Sequence, residues 1–187
     1  MEDSGVMSRL QREIEARNDT RLLIAIDGRC ASGKTTLALG LQQALGCNVI
    51  HMDHFFLPPG LRTEERLSQP GGNIDSERFL REVLEPISAG LAFSYKPFDC
   101  RAQSFGESIS ILPQRLNILE GAYSCHPLFA GSYSLKVFMS ISAKEQLERI
   151  RRRNGEEAAQ VFTEKWIPME ERYFEAYNIR ELCDIIV

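Results

Sequence analysis

The chain has 187 residues, a net charge of −4 and 26% charged residues, an ordinary composition for a globular protein of one domain. The acidic balance argues against nucleic acid or an anionic membrane as the main partner, and no apolar run approaches the roughly 20 residues of a membrane span. The five cysteines form no C-x-x-C pair and residues 1–18 carry no secretory leader. We therefore expect reduced thiols, no zinc and a cytoplasmic location.

The first predicted element is an amphipathic helix over residues 4–17. Ser4 is its expected N-cap, and Val6, Leu10 and Ile14 recur every four residues between charged positions. Such a leader helix most often packs on its own domain. A contact between two copies of the chain is the alternative, so a homo-oligomer remains open.

A glycine-rich loop follows the first predicted strand, residues 22–26. Residues 28–35 fill every fixed position of G-x-x-x-x-G-K-[ST], and residues 37–45 predict a helix directly after them. In this context the backbone N–H groups of the loop favour an anion. Lys34, expected on the loop with little packing, adds charge for the β- and γ-phosphates, and Thr35 offers a hydroxyl to Mg²⁺. The predicted triphosphate site comprises Gly28, Arg29, Cys30, Ala31, Ser32, Gly33, Lys34, Thr35 and Thr36. The Cys30 thiol is either oxidation-sensitive or an ordinary variable position.

The remaining apolar runs predict strands that alternate with helices. The strands are expected over residues 47–52, 116–119, 135–141 and 184–187, with short extended pieces near 93–95 and 109–112. This alternation predicts an α/β fold, with a parallel sheet covered by helices on both faces. Ligands then bind beyond the carboxyl ends of the strands.

Helices are expected over residues 76–85, where Pro86 should stop the helix, and over about 143–175. The second region begins at a capping box, Ser142 with Glu145, and should break near Pro168. Residues 57–73, with three prolines and three glycines, predict a long loop of the functional or mobile kind.

Two acidic residues lie where strands are predicted to end. Asp53 closes the second strand and Glu120 closes a later one. Thr35, Asp53 and Glu120 could hold a metal ion and its waters, and Asp53 could also accept a hydroxyl proton in phosphoryl transfer. For each acid the alternative is a structural role at the turn that follows its strand.

An arginine cluster lies on the helix that starts at Ser142. Arg149, Arg152 and Arg153 are three and four residues apart, so they share one face that suits triphosphate oxygens. We assign Arg149 and Arg153 to catalysis with Lys34, and Arg152 to nucleotide binding. The alternative is a solvated basic face. Because Asn154-Gly155 follows as a hinge-like stop, the helix could act as a lid.

These motifs, in this order, resemble the uridine kinase family and its relatives phosphoribulokinase and bacterial pantothenate kinase. The phosphate loop resembles that family's A-S-G-K-[ST]-T loop, Asp53 to Phe56 resembles its Asp-x-Phe-Tyr segment, and Asn73 to Asp75 stands where it has Asn-Phe-Asp. The resemblance implies a P-loop kinase fold with a five-stranded parallel core, ATP and Mg²⁺, and an alcohol acceptor. It also implies Asp53 as the catalytic base and Asp75 as a sugar contact.

The departures from that family concern the acceptor. The family's base-recognition stretch, Tyr-Asp-Phe-x-x-His-x-Arg, corresponds best to residues 98–105, where Phe98, Gln103 and Phe105 replace Tyr, His and Arg. We still expect Phe56, Phe98 and Gln103 to contact the substrate. If this alignment is shifted, Tyr95 or Arg101 would supply the missing contacts. Residues 166–170 also differ from the sequence that usually follows the lid helix in that family.

The sequence therefore predicts a uridine kinase-like enzyme that moves the γ-phosphoryl group of ATP to a hydroxyl group of a small molecule, a nucleoside or another sugar-like alcohol. Two alternatives remain, namely a non-nucleoside acceptor, such as a pantothenate-like alcohol or a sugar phosphate, and a nucleotide-binding regulator with slow hydrolysis. No Asn-Lys-x-Asp motif is present, which argues against a regulatory GTPase. Uridine as the acceptor is not supported.

Overall fold

The computed structural model describes residues 2–187, with side chains from residue 5 onward. Nine strands lie in this part of the chain: β1 (Leu22–Gly28), β2 (Asn48–His51), β3 (Phe93–Tyr95), β4 (Phe98–Asp99), β5 (Ser104–Phe105), β6 (Ile109–Ile111), β7 (Leu116–Glu120), β8 (Leu135–Met139) and β9 (Ile185–Ile186). Its α-helices are α1 (Glu2–Glu15), α2 (Lys34–Leu45), α3 (Glu64–Ser68), α4 (Ser76–Phe79), α5 (Glu85–Ala89), α6 (Ala143–Asn154), α7 (Glu156–Val161) and α8 (Ile167–Tyr177).

A five-stranded parallel sheet forms the centre of the fold, in the order β2–β7–β1–β8–β9. Every residue of β1 is buried. Leu23 and Ala25 pack into one hydrophobic core, and Leu22, Ile24 and Ile26 into a second core on the other face. Because successive side chains of a strand point to opposite faces, helices must cover both. The predicted α/β fold with a five-stranded sheet is confirmed.

The N-terminal helix α1 packs on its own domain, against the face of the sheet that α2 also covers. Leu10 and Ile14 are almost fully buried in the core that includes Ile24 and Leu41. The helix begins at Glu2, so the predicted start at Ser4 is wrong, and a capping role of the Ser4 side chain lies outside the described side chains. No helix in the described residues is long and apolar enough to cross a membrane.

Two prolines that were expected to interrupt helices instead follow a wide π-helical turn. Residues 80–84 are π-helical before Pro86, and the Glu85 N–H donates to the Leu80 carbonyl; residues 162–166 are π-helical before Pro168. The wider turn accommodates a residue that has no N–H to donate. The predicted stop at Pro86 is therefore wrong, because the chain remains helical to Ala89. The predicted break near Pro168 is also wrong, because the chain is helical without interruption from Glu156 to Tyr177.

The chain between β2 and β7 contains a short helix and two pairs of antiparallel strands. Instead of one long loop, residues 57–73 contain α3, which Thr63 caps by accepting from the Arg66 N–H at 3.2 Å. Two antiparallel pairs follow, β3 with β6 and β4 with β5. The expected start of α6 is confirmed, since Ser142 Oγ accepts from the Glu145 N–H at 3.2 Å.

Candidate functional site

The phosphate loop lies between β1 and α2, and two residues define its shape. Gly28 has φ 129°, and a Cβ there would lie 1.9 Å from the Met139 carbonyl oxygen of β8, so only glycine fits. Lys34 is the first residue of α2 and is buried, contrary to the expectation of a loosely packed loop residue. Its Nζ donates to the carbonyl oxygens of Gly28 (2.7 Å) and Arg29 (2.8 Å), which closes the loop around the ammonium group.

A cavity of about 750 Å³ opens beside this loop. It collects most of the residues that the sequence assigned to the site: Cys30, Ala31, Gly33, Lys34, Thr35, Thr36, Asp53, Phe56, Gln103, Glu120, Arg149, Arg152 and Arg153. Its far side adds Arg62, Asn73, Cys100 and Tyr123, and a further wall consists of Phe162, Lys165, Trp166 and Glu170. The volume falls within the range of typical small-molecule sites.

Glu120 joins the phosphate loop to β2 at the carboxyl edge of the sheet. Its Oε1 accepts from the Thr35 hydroxyl at 3.0 Å and lies 2.5 Å from His51 Nδ1. The hydrogen bond to Glu120 raises the pKa of His51. A hydroxyl and two carboxylates, Thr35 with Glu120 and Asp53, line one cavity and form the oxygen donor set that Mg²⁺ prefers. The residues present therefore fit the predicted metal. His51 was not predicted.

Asp53 lies directly after β2, in a 3₁₀ turn over Met52–Phe55. Gly121 permits this close approach, since a Cβ there would lie 2.9 Å from Met52 Cβ and 3.3 Å from Asp53 Oδ1. Although Asp53 is exposed to the cavity, the surrounding protein replaces much of its water, and this burial raises the pKa of the carboxyl group. The Glu120 charge raises it further, and Lys34 acts in the opposite direction. A carboxylate of raised basicity suits a general base.

The arginine face of α6 lines the cavity. Arg149 Nη1 donates to the Ala31 carbonyl oxygen of the phosphate loop at 3.1 Å, and its Nη2 lies 2.5 Å from Glu145 Oε1. Arg151, on another face, pairs with Glu156 at 3.0 Å and does not line the cavity. The helix therefore turns three cations toward the phosphate loop, namely Arg149, Arg152 and Arg153.

The far side of the cavity carries another cation, Arg62. Its Nε donates to the Leu57 carbonyl oxygen at 2.6 Å, and its guanidinium carbon lies 5.8 Å from the centre of the Phe98 ring. Within the described residues, no carboxylate pairs with Arg62 in an ion pair. Tyr123, on the same side, has φ 72°, a left-handed conformation that is uncommon away from glycine.

Two predicted substrate contacts do not reach the cavity. Asp75 Oδ1 accepts from the Arg78 N–H at 3.1 Å, so this carboxylate caps α4, and its Oδ2 lies 3.6 Å from Arg78 Nε. Phe98 is buried and packs against Phe105, with ring centres 5.5 Å apart. In the structure described here, these side chains support the walls of the cavity and do not line it. Of the predicted loop residues, Gly28, Arg29 and Ser32 also stay off the cavity surface.

Sequence reasoning missed Asp27, which is fully buried in β1. Its carboxylate accepts from the N–H groups of Gly28 (2.7 Å), Tyr123 (3.1 Å) and Cys125 (2.8 Å) and from the Tyr173 hydroxyl (2.8 Å). Burial raises its pKa against the effect of these donors. The residue fixes the start of the phosphate loop to the segment after β7 and to α8. A lone charge in an apolar strand was the only sequence signal.

Glu170 was also missed, although it lies in the stretch that departs from the resembled family. Its Oε2 accepts from the Cys30 N–H of the phosphate loop at 3.0 Å, and burial raises its pKa to about 7. Burial also raises the pKa of the Cys30 thiol to about 12. Since oxidation needs a thiolate, the ordinary-position interpretation of Cys30 is favoured over an oxidation-sensitive one.

Comparisons with known proteins concern the fold. No protein-family model matches the chain. A structure described as a possible uridine kinase from Bacillus stearothermophilus superimposes with a TM-score of 0.78 at 19% identity, covering 100% of this chain and 99% of that one. YFH7 from Saccharomyces cerevisiae, described as a candidate P-loop kinase with a circular permutation, has a TM-score of 0.57 at 14% identity and covers 99% and 96%. The chain therefore has the fold of a uridine kinase-like P-loop kinase.

Proposed function

We propose that the protein is an ATP-dependent kinase that transfers the γ-phosphoryl group to a hydroxyl of a small molecule. One observation carries the proposal: a single cavity brings the phosphate loop, with Lys34 and Thr35, next to the acidic pair Asp53 and Glu120. Phosphoryl transfer to an alcohol needs these parts together, because charge on the phosphate must be neutralised while the hydroxyl loses its proton.

The residues divide these tasks. The loop N–H groups and Lys34 bind the phosphates. Thr35 and Glu120, with Asp53 nearby, would hold Mg²⁺, which neutralises phosphate charge when bound. Asp53 accepts the hydroxyl proton as the new O–P bond forms and the bond to the β-phosphate oxygen breaks, which leaves ADP. Arg149 and Arg153 stabilise the negative charge on the phosphoryl group during its transfer, and Arg152 binds the nucleotide.

The far side of the cavity favours a kinase over a slowly hydrolysing regulator. A regulator needs only the nucleotide site, whereas this cavity extends past Asp53 to Phe56, Arg62 and Gln103. A nucleoside or another sugar-like alcohol could lie there, with its hydroxyl at Asp53.

A second candidate acceptor is an alcohol that carries an acidic group. It is favoured by Arg62, a guanidinium at the cavity wall without an ion-pair partner among the described residues. Such a fork binds carboxylate or phosphate well. A sugar phosphate or a pantothenate-like acid has this chemistry.

The test is ATP turnover with Mg²⁺ alone and with matched acceptors. Uridine and cytidine represent nucleosides. Two further pairs of acceptors differ within each pair by an acidic group: ribose and ribose 5-phosphate, and pantothenol and pantothenate. We expect ADP release to depend on an acceptor. Equal turnover without any acceptor would contradict the kinase and favour the regulator.

The Arg62 hypothesis is tested in the same assay. Arg62→Gln should raise the KM of an acidic acceptor at least tenfold and leave the KM of ATP unchanged. Arg66→Gln is the control, because Arg66 lies on the same segment but pairs with Glu77 at 2.6 Å, and it does not line the cavity. Equal effects of the two variants would remove Arg62 from acceptor binding.

A further inference from the structure

Helix α8 places an acidic side chain on the phosphate loop. Glu170 is 5% exposed, lines the cavity, and its Oε2 accepts from the Cys30 N–H at 3.0 Å. Tyr173, three residues later on the same helix face, binds Asp27 directly before the loop. Two contacts from one helix therefore fix the Glu170 carboxylate at a loop whose N–H groups otherwise suit phosphate oxygens.

The neighbouring glutamate has a different position. Glu171 Oε1 lies 2.8 Å from Arg29 Nη2, and Glu171 does not line the cavity. Of these adjacent carboxylates, one is therefore paired with a cation away from the cavity. Glu170 faces the space that we assign to the phosphates. Among the described residues, no arginine forms an ion pair with it within 4 Å.

The charged and titratable groups around Glu170 come from several elements. Those that interact with it electrostatically, or share its surroundings at the loop, are Lys34, Asp27, Asp53, Cys30, Tyr123 and Arg153. Lys34 favours the ionised form of Glu170, whereas Asp27 and Asp53 disfavour it.

We infer that Glu170 is a built-in anion on the phosphate loop, and that binding of a triphosphate neutralises its carboxylate with a proton. The inference rests on the proposed nucleotide site. A carboxylate that lies beside phosphate oxygens repels them, most strongly where the surrounding protein excludes water, as it does at the buried Glu170. Glu170 thus sets the affinity of the site for its nucleotide.

The direction of the pH effect follows. Burial raises the pKa of Glu170 to about 7, so that it is partly protonated at neutral pH. Phosphate charge raises this pKa further, because a like charge disfavours the ionised form. Nucleotide binding should therefore take up a proton. If the bound form is fully protonated, affinity should fall about fivefold between pH 7 and 8, as linkage requires.

The experiment is isothermal titration calorimetry of the full chain with ATP and Mg²⁺, from pH 6.5 to 8.5. Each titration is run in two buffers of different ionisation enthalpy, which reports proton uptake. The variants are Glu170→Gln and the matched control Glu171→Gln. Glu170→Gln keeps an acceptor oxygen for the Cys30 N–H and removes the charge.

The wild type and Glu171→Gln should take up a proton and lose affinity as pH rises. Compared with the wild type, Glu170→Gln should show smaller uptake, a flatter pH profile and about tenfold tighter binding at pH 8. Equal or weaker binding by Glu170→Gln, or a flat wild-type profile, would overturn the inference. ATP binding without proton uptake overturns this inference alone, whereas absence of ATP binding overturns the proposed function with it. The wild-type titrations decide the matter even if a variant does not fold.

Discussion

The Tyr173→Phe variant should destabilise the fold by removing one donor from a buried carboxylate. The Tyr173 hydroxyl donates to Asp27 Oδ2 at 2.8 Å, and both residues are fully buried. The ring would stay in place, since it packs against Tyr123 with ring centres 4.9 Å apart. The loss is therefore one hydrogen bond to a buried acid, worth about 1.5–3 kcal/mol.

This loss can be converted into a melting temperature. For a chain of this size, each kcal/mol shifts Tm by about 2–4 °C, so Tyr173→Phe should lower Tm by about 3–12 °C. The three backbone N–H donors of Asp27 remain, which keeps the variant folded. The hydroxyl also lowers the pKa of Asp27, so its removal should raise that pKa further.

The assay is urea unfolding followed by circular dichroism, with the m-value compared to show that the unfolded state is unchanged. Tyr177→Phe is the matched control on the same helix, because the Tyr177 hydroxyl lies 3.5 Å from the Pro70 carbonyl oxygen, at the limit of a hydrogen bond. It should cost less than about 1 kcal/mol. If the two variants lose equal stability, the Tyr173 hydroxyl does not support Asp27 as the geometry indicates.

The other predictions concern the proposed activity. Lys34→Ala should abolish most ATP binding, measured by calorimetry, and should also lower Tm, because the Gly28 and Arg29 carbonyls lose their donor; normal binding would contradict the phosphate site. Asp53→Asn should retain ATP binding but slow transfer about 10²–10⁴-fold in single-turnover assays, and unchanged turnover would exclude it as the base. Glu120→Gln should raise the Mg²⁺ concentration needed for half-maximal rate, in contrast to an unchanged Mg²⁺ titration if Glu120 is only structural. Uridine and cytidine should be poor acceptors in steady-state assays, and a kcat/KM of about 10⁴–10⁸ M⁻¹s⁻¹ would contradict this.

The parts of the site that could be predicted are those fixed by local sequence. The phosphate loop follows from one strand–loop–helix unit. Asp53 and Glu120 close neighbouring parallel strands, so the topology alone brings them to one edge of the sheet. The spacing of Arg149, Arg152 and Arg153 fixes a common helix face, and the structure turns that face toward the loop.

The parts that could not be predicted depend on distant pairs. Glu170 contacts a loop residue 140 positions earlier in the chain, and no local sequence pattern can reveal a contact between positions so far apart. Asp75 shows that a role inferred from a family motif can also fail. Its place in a family motif suggested a sugar contact, but in this chain the backbone of α4 takes its carboxylate as a cap. A residue carried over by resemblance keeps its position but not always its partner.

The hydrogen bonds of Asp27 have a consequence for how the protein is made. Chain synthesis proceeds from the N-terminus, so β1 and the phosphate loop emerge before α8. The Tyr173 hydroxyl, however, is 146 residues further along. During translation, the nascent chain therefore carries a complete glycine loop while Asp27 still lacks its donor from α8. The set of hydrogen bonds that holds Asp27 is therefore complete only after α8 has been synthesised.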